Sequence, residues 1–157
     1  MVKVNVVAVG KVKEKYFLEA ISEYAKRLSR FCDFNIIEVA EENYSKVDDA
    51  TIQKIKEKEQ ERIIPHLKGY VFATAIEGKK YSSTQFAKKI DKICQVGQGV
   101  ITFVIGGSYG LSNEVKSKAD ELISFSDMTF PHTFFRAMLT EQIYRAMCIL
   151  NNVSYHK

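Results

Sequence analysis

The segment VITFVIGGSYG, residues 100–110, decides the fold of this chain. Its apolar, β-branched first half has the composition of a strand that is buried on both faces of a sheet. The strand stops at Gly106 and Gly107, and a helix-start signal follows at Ser112. Open α/β sheets bind ligands where a buried strand enters such a turn, because glycine lets backbone groups approach a ligand closely. The same turn also suits a strand-to-helix connection that binds nothing.

Strands and helices alternate along the rest of the chain. Apolar and alternating patterns predict strands at 2–9, 34–40, 70–76, 100–105 and 122–126, with a turn at 77–79. Helical spacing of apolar residues predicts helices at 13–30, 50–67, 82–97, 112–120 and 134–150. Asp48 or Asp49 and Ser82 or Ser83 are predicted caps, and Pro65 should end or kink the second helix. The alternation predicts an α/β fold with a mainly parallel sheet and helices on both faces.

Length and composition bound the class of protein. With 157 residues, 46% of them hydrophobic and 27% charged, the chain predicts one globular domain over residues 1–157. No apolar run reaches membrane-spanning length, and the first residues do not form a secretory signal. Three widely spaced cysteines indicate a reducing compartment, so we expect a cytoplasmic protein without a membrane segment. Neither the cysteines nor the three histidines have metal-ligand spacing, and we expect no metal site.

The net charge of +4 conceals an uneven distribution. Residues 33–61 carry nine acids against four bases, whereas 62–100 carry seven bases against two acids. Residues 11–30 add six bases against three acids. Two basic segments are compatible with a polyanionic partner, although solvated helix faces give a similar pattern.

Several familiar sites are excluded by missing motifs. The chain has no GxxxxGK[ST] loop for nucleoside triphosphates, and its first strand–helix turn lacks the GxGxxG of dinucleotide dehydrogenases. It has no GxSxG, no HExxH and no paired-carboxylate motif. The loops 74–78, 106–110 and 125–130 remain, and parallel strands bring all three to one edge of the sheet. They predict a backbone-lined pocket for a small ligand with an adenine-like ring and few charges.

The last helix is apolar around more than half of its circumference. One apolar stripe can cover the sheet, and the second indicates another partner, most simply a second copy of the chain. The polar strip that is left carries Arg136, Thr140 and Tyr144 at a spacing of four residues. A salt bridge or a solvated position is the alternative to a functional role for Arg136. The tail that follows ends in YHK, and a frayed terminus is its alternative.

Several motifs together resemble one enzyme family. IGGSYG, SFSDMTFPH with the Arg136 that follows it, and the closing YHK are similar to the ribosomal large-subunit methyltransferase H family. VAVGKVKEKY, EYAKRL, the KEKE run and TEQIYRA fit the same family, so the resemblance spans the whole chain. Its members are small SPOUT-class enzymes that methylate N3 of a pseudouridine in the large-subunit (23S) ribosomal RNA.

The resemblance implies a fold, a cofactor and a partner. The implied fold is a SPOUT-type α/β domain whose C-terminal half is threaded into a trefoil knot, which periodicity cannot show. S-adenosylmethionine is expected in the knot loops, and a homodimer is expected in which the tail of one subunit completes the site of the other. Thr74 stands where family members have leucine, so backbone is expected to serve there. Matching positions place the cofactor contacts on Thr74, Gly106, Phe125, Ser126, Asp127, Met128, Thr129 and Phe130.

Methyl transfer sets the remaining requirements. Because the sulfonium is already activated, the enzyme chiefly holds the nucleophile in line with the methyl carbon and excludes water. We predict that Tyr155 and His156 position the substrate, and that Arg136 binds a phosphate or the developing anion. His132 follows Pro131 at a helix start, where it serves equally well as a cap. The N3 proton must also leave, and the candidates to accept it are His132, Glu141, Tyr155 and His156.

Two other functions remain open on the sequence. One is a non-catalytic RNA- or ribosome-binding protein of the same fold, which would fail to bind S-adenosylmethionine. The other is a SPOUT methyltransferase that acts on transfer RNA, although we find no appended RNA-binding domain in the sequence. A minimal enzyme takes most of its recognition from a large substrate, so we expect ribosomal RNA within the assembled ribosome as the partner. Surface lysines and arginines are expected to bind its phosphates.

Overall fold

Five parallel strands form one sheet in the computed structural model, which describes all residues 1–157. Each predicted strand is present, so the predicted fold class is confirmed. The strands lie in the order β2-β1-β4-β3-β5, and their bounds are β1 Lys3–Val9, β2 Asp33–Val39, β3 Tyr70–Lys80, β4 Val100–Ile105 and β5 Glu121–Ser124.

Helices connect the strands, and the second and third helices begin at the predicted caps Asp48 and Ser82. The Asp48 carboxylate accepts a hydrogen bond from the Thr51 amide, and the Ser82 hydroxyl accepts one from the Gln85 amide. Pro65 lies in a short 3₁₀ turn, Ile64–His66, because its ring cannot continue the preceding helix. The helices are α1 Lys15–Leu28, α2 Asp49–Ile63, α3 Ser83–Gln95, α4 Asn113–Lys118 and α5 His132–Leu150.

Apolar side chains cover both faces of the sheet, which explains the continuous apolar run of β4. On one face α1, α3 and α5 contribute to a core in which Phe72 of β3 stacks on Phe103 of β4 at 4.9 Å. On the other face Ile63 of α2 and Val115 of α4 pack against a second core. None of the helices combines the length and the apolar character that a membrane crossing needs.

Strand β3 is longer than predicted, and this difference creates space for a site. The sequence predicted a turn at 77–79, but these residues continue the strand, with a register shift against β5 between Thr74 and Lys79. The turn prediction was wrong in that the strand continues to Lys80, but Thr74 and Lys79 both pair with Ile123, so residues 75–78 lie outside the ladder with β5. Gly78 suits this segment because a Cβ there would lie 2.6 Å from the Ile123 nitrogen. Strand β3 pairs with β4 only as far as Ala73, so the carboxyl ends of the two strands separate.

The last helix has more neighbours in its own chain than the sequence indicated. Helix α5 packs against both α1 and α3, and Phe134 of α5 stacks on Phe17 of α1 at 5.1 Å. The predicted polar strip is not left on the surface: Arg136 and Thr140 are buried, and Tyr144 packs against Tyr24 of α1. Part of the second apolar stripe is therefore covered within one protomer. The homodimer and the trefoil threading stay predictions.

Candidate functional site

A cavity of about 780 Å³ opens at the carboxyl edge of the sheet, around the ends of β3, β4 and β5. The three loops that the sequence singled out all line it. Of the eight predicted cofactor positions, only Asp127 does not line the cavity. Its carboxylate is exposed and forms an ion pair with Lys80. The predicted positions that line the cavity are Thr74, Gly106, Phe125, Ser126, Met128, Thr129 and Phe130.

The glycine turn after β4 is compact because it folds back on itself. The Gly110 amide donates a hydrogen bond to the Gly107 carbonyl at 3.1 Å. A Cβ on Gly106 would lie 2.7 Å from the Gly110 carbonyl carbon and 3.0 Å from the Leu111 nitrogen, which no real side chain tolerates. We expected glycine here to admit a ligand, and the structure gives a different reason: the turn itself leaves no room for a side chain.

The loop after β5 is held by its own hydrogen bonds. The Ser124 hydroxyl donates to the Ser126 carbonyl, and the Met128 amide donates to the Ser126 hydroxyl, both at 3.0 Å. The ring of Phe125 packs on Phe135 of α5 at 4.6 Å. These contacts give the 125–130 loop a defined shape beneath the mouth of the cavity, although Met128 is exposed.

Few charges face the cavity, as the sequence predicted. Glu77 and Lys116 are its charged lining residues, and they neutralise each other in an ion pair of 2.7 Å. The Thr74 hydroxyl donates to the Val104 carbonyl of β4 at 2.9 Å, so its polar group is already satisfied within the sheet. The cavity therefore offers a ligand mainly backbone groups and uncharged side chains.

A buried carboxylate behind the glycine turn was missed by sequence reasoning. Glu59 of α2 is 3% exposed, and its Oε2 accepts a hydrogen bond from the Glu42 amide at 3.1 Å. Its Oε1 would lie 3.2 Å from a Cβ on Gly107, so it rests directly against the turn. Burial raises the pKa of Glu59, and the nearby Glu41 adds to the effect. The missed signal is the spacing of Ile55, Glu59 and Ile63, which places the carboxylate on the buried stripe of the helix.

Arg136 lies inside the protomer in a salt bridge and does not line the cavity. Its guanidinium is 2.5 Å from Glu38 Oε2 and donates to the Gly10 carbonyl at 3.1 Å. The whole residue is only 2% exposed. The salt bridge that the sequence left open as an alternative for Arg136 is therefore present. The binding of a substrate anion by Arg136 stays a prediction.

The tail is ordered against α5 and α1, and it does not line the cavity either. The Tyr155 hydroxyl donates to Glu141 at 2.9 Å, and its ring meets Tyr144 edge-on at 4.8 Å. His156 Nδ1 lies 3.1 Å from the Arg145 guanidinium. Burial, together with hydrogen bonds to Tyr24 and Glu141, raises the pKa of Tyr155. The frayed terminus that the sequence allowed is not found.

A smaller cavity separates the tail from the main one. It measures about 390 Å³ and includes Glu141, the residue that holds Tyr155. It shares Phe125 and Phe130 with the larger cavity, so the two are neighbours. The structure of one chain thus brings the predicted cofactor residues together but leaves the predicted catalytic residues outside their cavity.

Comparison with known proteins decides the family. The family model described as "Predicted SPOUT methyltransferase" matches residues 2–156. The chain belongs to the SPOUT methyltransferase family. Two of the SPOUT relatives most similar to it are named ribosomal RNA large subunit methyltransferase H, from Limosilactobacillus reuteri and Streptococcus uberis. Each is 49% identical, over 98% and 99% of this chain respectively and 99% of the relative.

Solved structures share the SPOUT fold at low sequence identity. A methylase family protein from Haemophilus influenzae matches with a TM-score of 0.51. A methyltransferase from Legionella pneumophila, solved with its cofactor SAM, matches with a TM-score of 0.50. Both are 12% identical and are matched over 95% of this chain and 66% of their own. At this identity the likeness concerns the fold alone.

Proposed function

We propose that the protein is an S-adenosylmethionine-dependent methyltransferase that methylates N3 of a pseudouridine in the large-subunit (23S) ribosomal RNA. The observation that carries this proposal is the 49% identity, over nearly the full length of both chains, to relatives named ribosomal RNA large subunit methyltransferase H. We further propose that residues 1–157 act as one SPOUT domain with its C-terminal half threaded into a trefoil knot.

The large cavity fits S-adenosylmethionine in size and in charge. Its volume of about 780 Å³ lies within the usual range for small-molecule sites. Its paired charges leave an almost neutral lining, which suits an adenine ring and a sulfonium. When bound, S-adenosylmethionine supplies a methyl group that needs no further activation. The residues proposed to hold it are Thr74, Gly106, Phe125, Ser126, Asp127, Met128, Thr129 and Phe130, with Asp127 at the rim.

The chain itself must hold the target nitrogen in line with the methyl group and exclude water. The hydrogen-bonded 125–130 loop gives the pocket a rigid floor, which supports this task. We propose that Tyr155 and His156 of one subunit position the substrate at the pocket of the other. Their distance from the pocket lining of their own chain supports a homodimer in which the sites are completed across subunits. For Arg136, contact with a substrate phosphate or anion remains part of this proposal.

Ribosomal RNA is favoured over transfer RNA as the substrate. The relatives are named for the large-subunit RNA, and the alternative of a non-catalytic protein has no comparable support. Lys11 and Lys13 are exposed after β1, make no salt bridge and stand at the same edge of the sheet as the cavity. Such lysines supply the sequence-independent attraction to phosphates that an RNA enzyme needs. Because ribosomes are the proposed substrate, we propose that the protein acts in the cytoplasm.

Transfer of radiolabelled methyl groups from S-adenosylmethionine tests the proposal. Ribosomes that lack the modification are the substrate, transfer RNA is the parallel substrate, and calorimetry measures cofactor binding. We expect label on the large-subunit RNA and none on transfer RNA. Label on transfer RNA alone would contradict the substrate, and a chain that binds S-adenosylmethionine but labels neither RNA would do the same. A chain that neither labels RNA nor binds the cofactor would contradict the enzyme.

A further inference from the structure

Three of the four buried side-chain polar atoms that lack a hydrogen-bond partner lie near the end of β1. They are Glu14 Oε2, His132 Nδ1 and Arg136 Nε. Gly10 joins the group: its carbonyl binds Arg136, and a Cβ on Gly10 would lie 3.9 Å from His132 Cε1. Buried polar atoms are nearly always hydrogen-bonded, so a cluster of unpaired ones indicates a functional role beyond stabilising the fold.

His132 connects this cluster to the cofactor cavity. It is the first residue of α5 and lines the cavity beside Pro131 and Phe135. It is not the helix cap that the sequence allowed, because the start of α5 has no side-chain capping bond. Its Nδ1 is buried, whereas its Nε2 is not among the buried unpaired atoms. The imidazole therefore presents one nitrogen to the protein and leaves the other for the cavity.

Burial favours the neutral imidazole of His132, and the charges around the ring act in both directions. Burial lowers the pKa of His132 first of all, and Arg136 lowers it further, while Glu41 and Glu14 act in the opposite direction. These are the charged groups that face the ring from α5 and from the loops after β1 and β2. A neutral imidazole carries one N–H donor and one lone pair, and the partner of one nitrogen decides which has the lone pair.

We propose that His132 is the base that accepts the N3 proton through Nε2, and that the nearby Glu14 carboxylate assists it by stabilising the imidazolium that forms. The proposal rests on the methyltransferase function above and names the proton acceptor that the function leaves open. Glu14 Oε2 is buried and has no hydrogen-bond partner, so its charge is not neutralised by another side chain and acts on the imidazole through space. A carboxylate near a catalytic histidine stabilises the imidazolium that forms when the base takes up a proton.

The step balances without a further reactant. The N3–H bond of the pseudouridine breaks, and its proton moves to His132 Nε2, which becomes an imidazolium beside Glu14. The N3 electron pair forms the bond to the methyl carbon, while the bond from that carbon to sulfur breaks and its electrons stay on sulfur. The products are N3-methylpseudouridine and S-adenosylhomocysteine, and the imidazolium later loses its proton to solvent.

His132→Gln tests the base, with His66→Gln as the matched control in the short 3₁₀ turn away from the cavity. We expect His132→Gln to lower kcat for ribosome methylation by about 10²- to 10³-fold, the usual contribution of a general base. The KM for ribosomes and the Kd for S-adenosylmethionine should stay within about threefold, since binding groups are unchanged. The loss should shrink at high pH, where solvent hydroxide removes the N3 proton. His66→Gln should behave as wild type.

Glu14→Gln tests the assisting role of the carboxylate with a readout that a purely structural role would not move. Removing the carboxylate charge should lower the pKa of His132, measured by NMR of the imidazole nitrogens. The base works only when neutral, so the acid limb of the kcat profile should move to lower pH in Glu14→Gln.

The outcomes separate this inference from the proposed function. If the wild-type enzyme labels ribosomes and His132→Gln keeps its kcat, the base assignment is overturned while the function stands. If His132→Gln lowers the affinity for S-adenosylmethionine by as large a factor as it lowers kcat, His132 serves to bind the cofactor. The base assignment is then also overturned. An unmoved pKa and acid limb in Glu14→Gln overturns the role of Glu14. If the wild-type protein labels no RNA, the function itself fails, and the inference with it.

Discussion

The cofactor cavity and the C-terminal tail are built in opposite ways. The cavity arises where three neighbouring strands end, and short hydrogen bonds within its loops shape it. The tail is attached by side chains that reach α5, chiefly Tyr155 to Glu141 and His156 to Arg145. The cavity therefore forms with the sheet, whereas the tail depends on a few side-chain contacts with helix α5.

The energies of the two regions support this contrast. The cavity loops directly continue strands of the sheet core. The tail is held by a few side-chain hydrogen bonds, each worth about 0.5–1.5 kcal/mol net, or about 1.5–3 kcal/mol where the partner is charged, as Glu141 is. The difference supports the proposal that one chain forms the cofactor pocket by itself, while substrate positioning needs the tail of a second subunit. Four predictions test it.

Deletion of Tyr155–Lys157 should have the largest effect on activity. We expect methyl transfer to fall by at least about 100-fold, because a misplaced substrate loses that much even without a lost catalytic group. Cofactor affinity, measured by calorimetry, should change less than about threefold. Removal of Lys157 alone is the control and should leave both values unchanged. Equal loss of methylation and cofactor binding would show that the tail supports the cavity. That result would contradict the contrast between the cavity and the tail.

Gly106→Val should damage the cavity itself. The new side chain meets the Gly110 and Leu111 backbone, so the turn must open at a cost of about 1–3 kcal/mol. We expect calorimetry to show about 100-fold weaker cofactor binding, with methylation falling in parallel, since the turn is part of the cavity wall. Gly99→Ala is the matched control, because a Cβ there meets nothing within 4 Å. Full cofactor affinity in Gly106→Val would remove this turn from the site.

Arg136→Ala should act mainly on stability. The change leaves the Gly10 carbonyl without its partner, and we expect chemical denaturation to show a loss of about 2 kcal/mol in the free energy of unfolding. Arg27→Ala removes an exposed ion pair to Glu23 and should change the free energy of unfolding much less than Arg136→Ala does. An unchanged free energy of unfolding with lost methylation would instead place Arg136 on the substrate, as the sequence predicted.

Glu59→Gln should have the smallest effect and a clear dependence on pH. The folded pKa of Glu59 is raised by burial, so wild-type stability is unimpaired below the unfolded pKa and falls as pH rises toward and through the folded value. Gln keeps an oxygen for the Glu42 amide without a charge. We therefore expect a higher Tm than wild type at pH 8 and no difference at pH 4. The exposed Glu57→Gln on the same helix is the control, and a gain at both pH values would contradict the role of burial.

The large cavity was largely predictable from the chain. Parallel strands must bring their carboxyl ends to one edge, so the order of strands and helices already places the loops after β3, β4 and β5 together. The space between β3 and β4 was not predictable, because their pairing ends at Ala73 while β3 itself continues to Lys80, past the point where the sequence indicated a turn. Glu59 was hidden for a different reason: its helix is so highly charged that one buried carboxylate on its apolar stripe did not stand out.

The sequence by itself determined the α/β class, the caps of the helices and the three loops of the pocket, because periodicity and turn chemistry are local properties of the chain. Only the tertiary structure decided where the charged side chains go. Arg136 binds Glu38 and Gly10, residues that are 98 and 126 positions away along the chain. His132 and Glu14 come near each other for the same reason: the packing of α5 against α1 chooses neighbours that are distant in sequence, which no local pattern encodes.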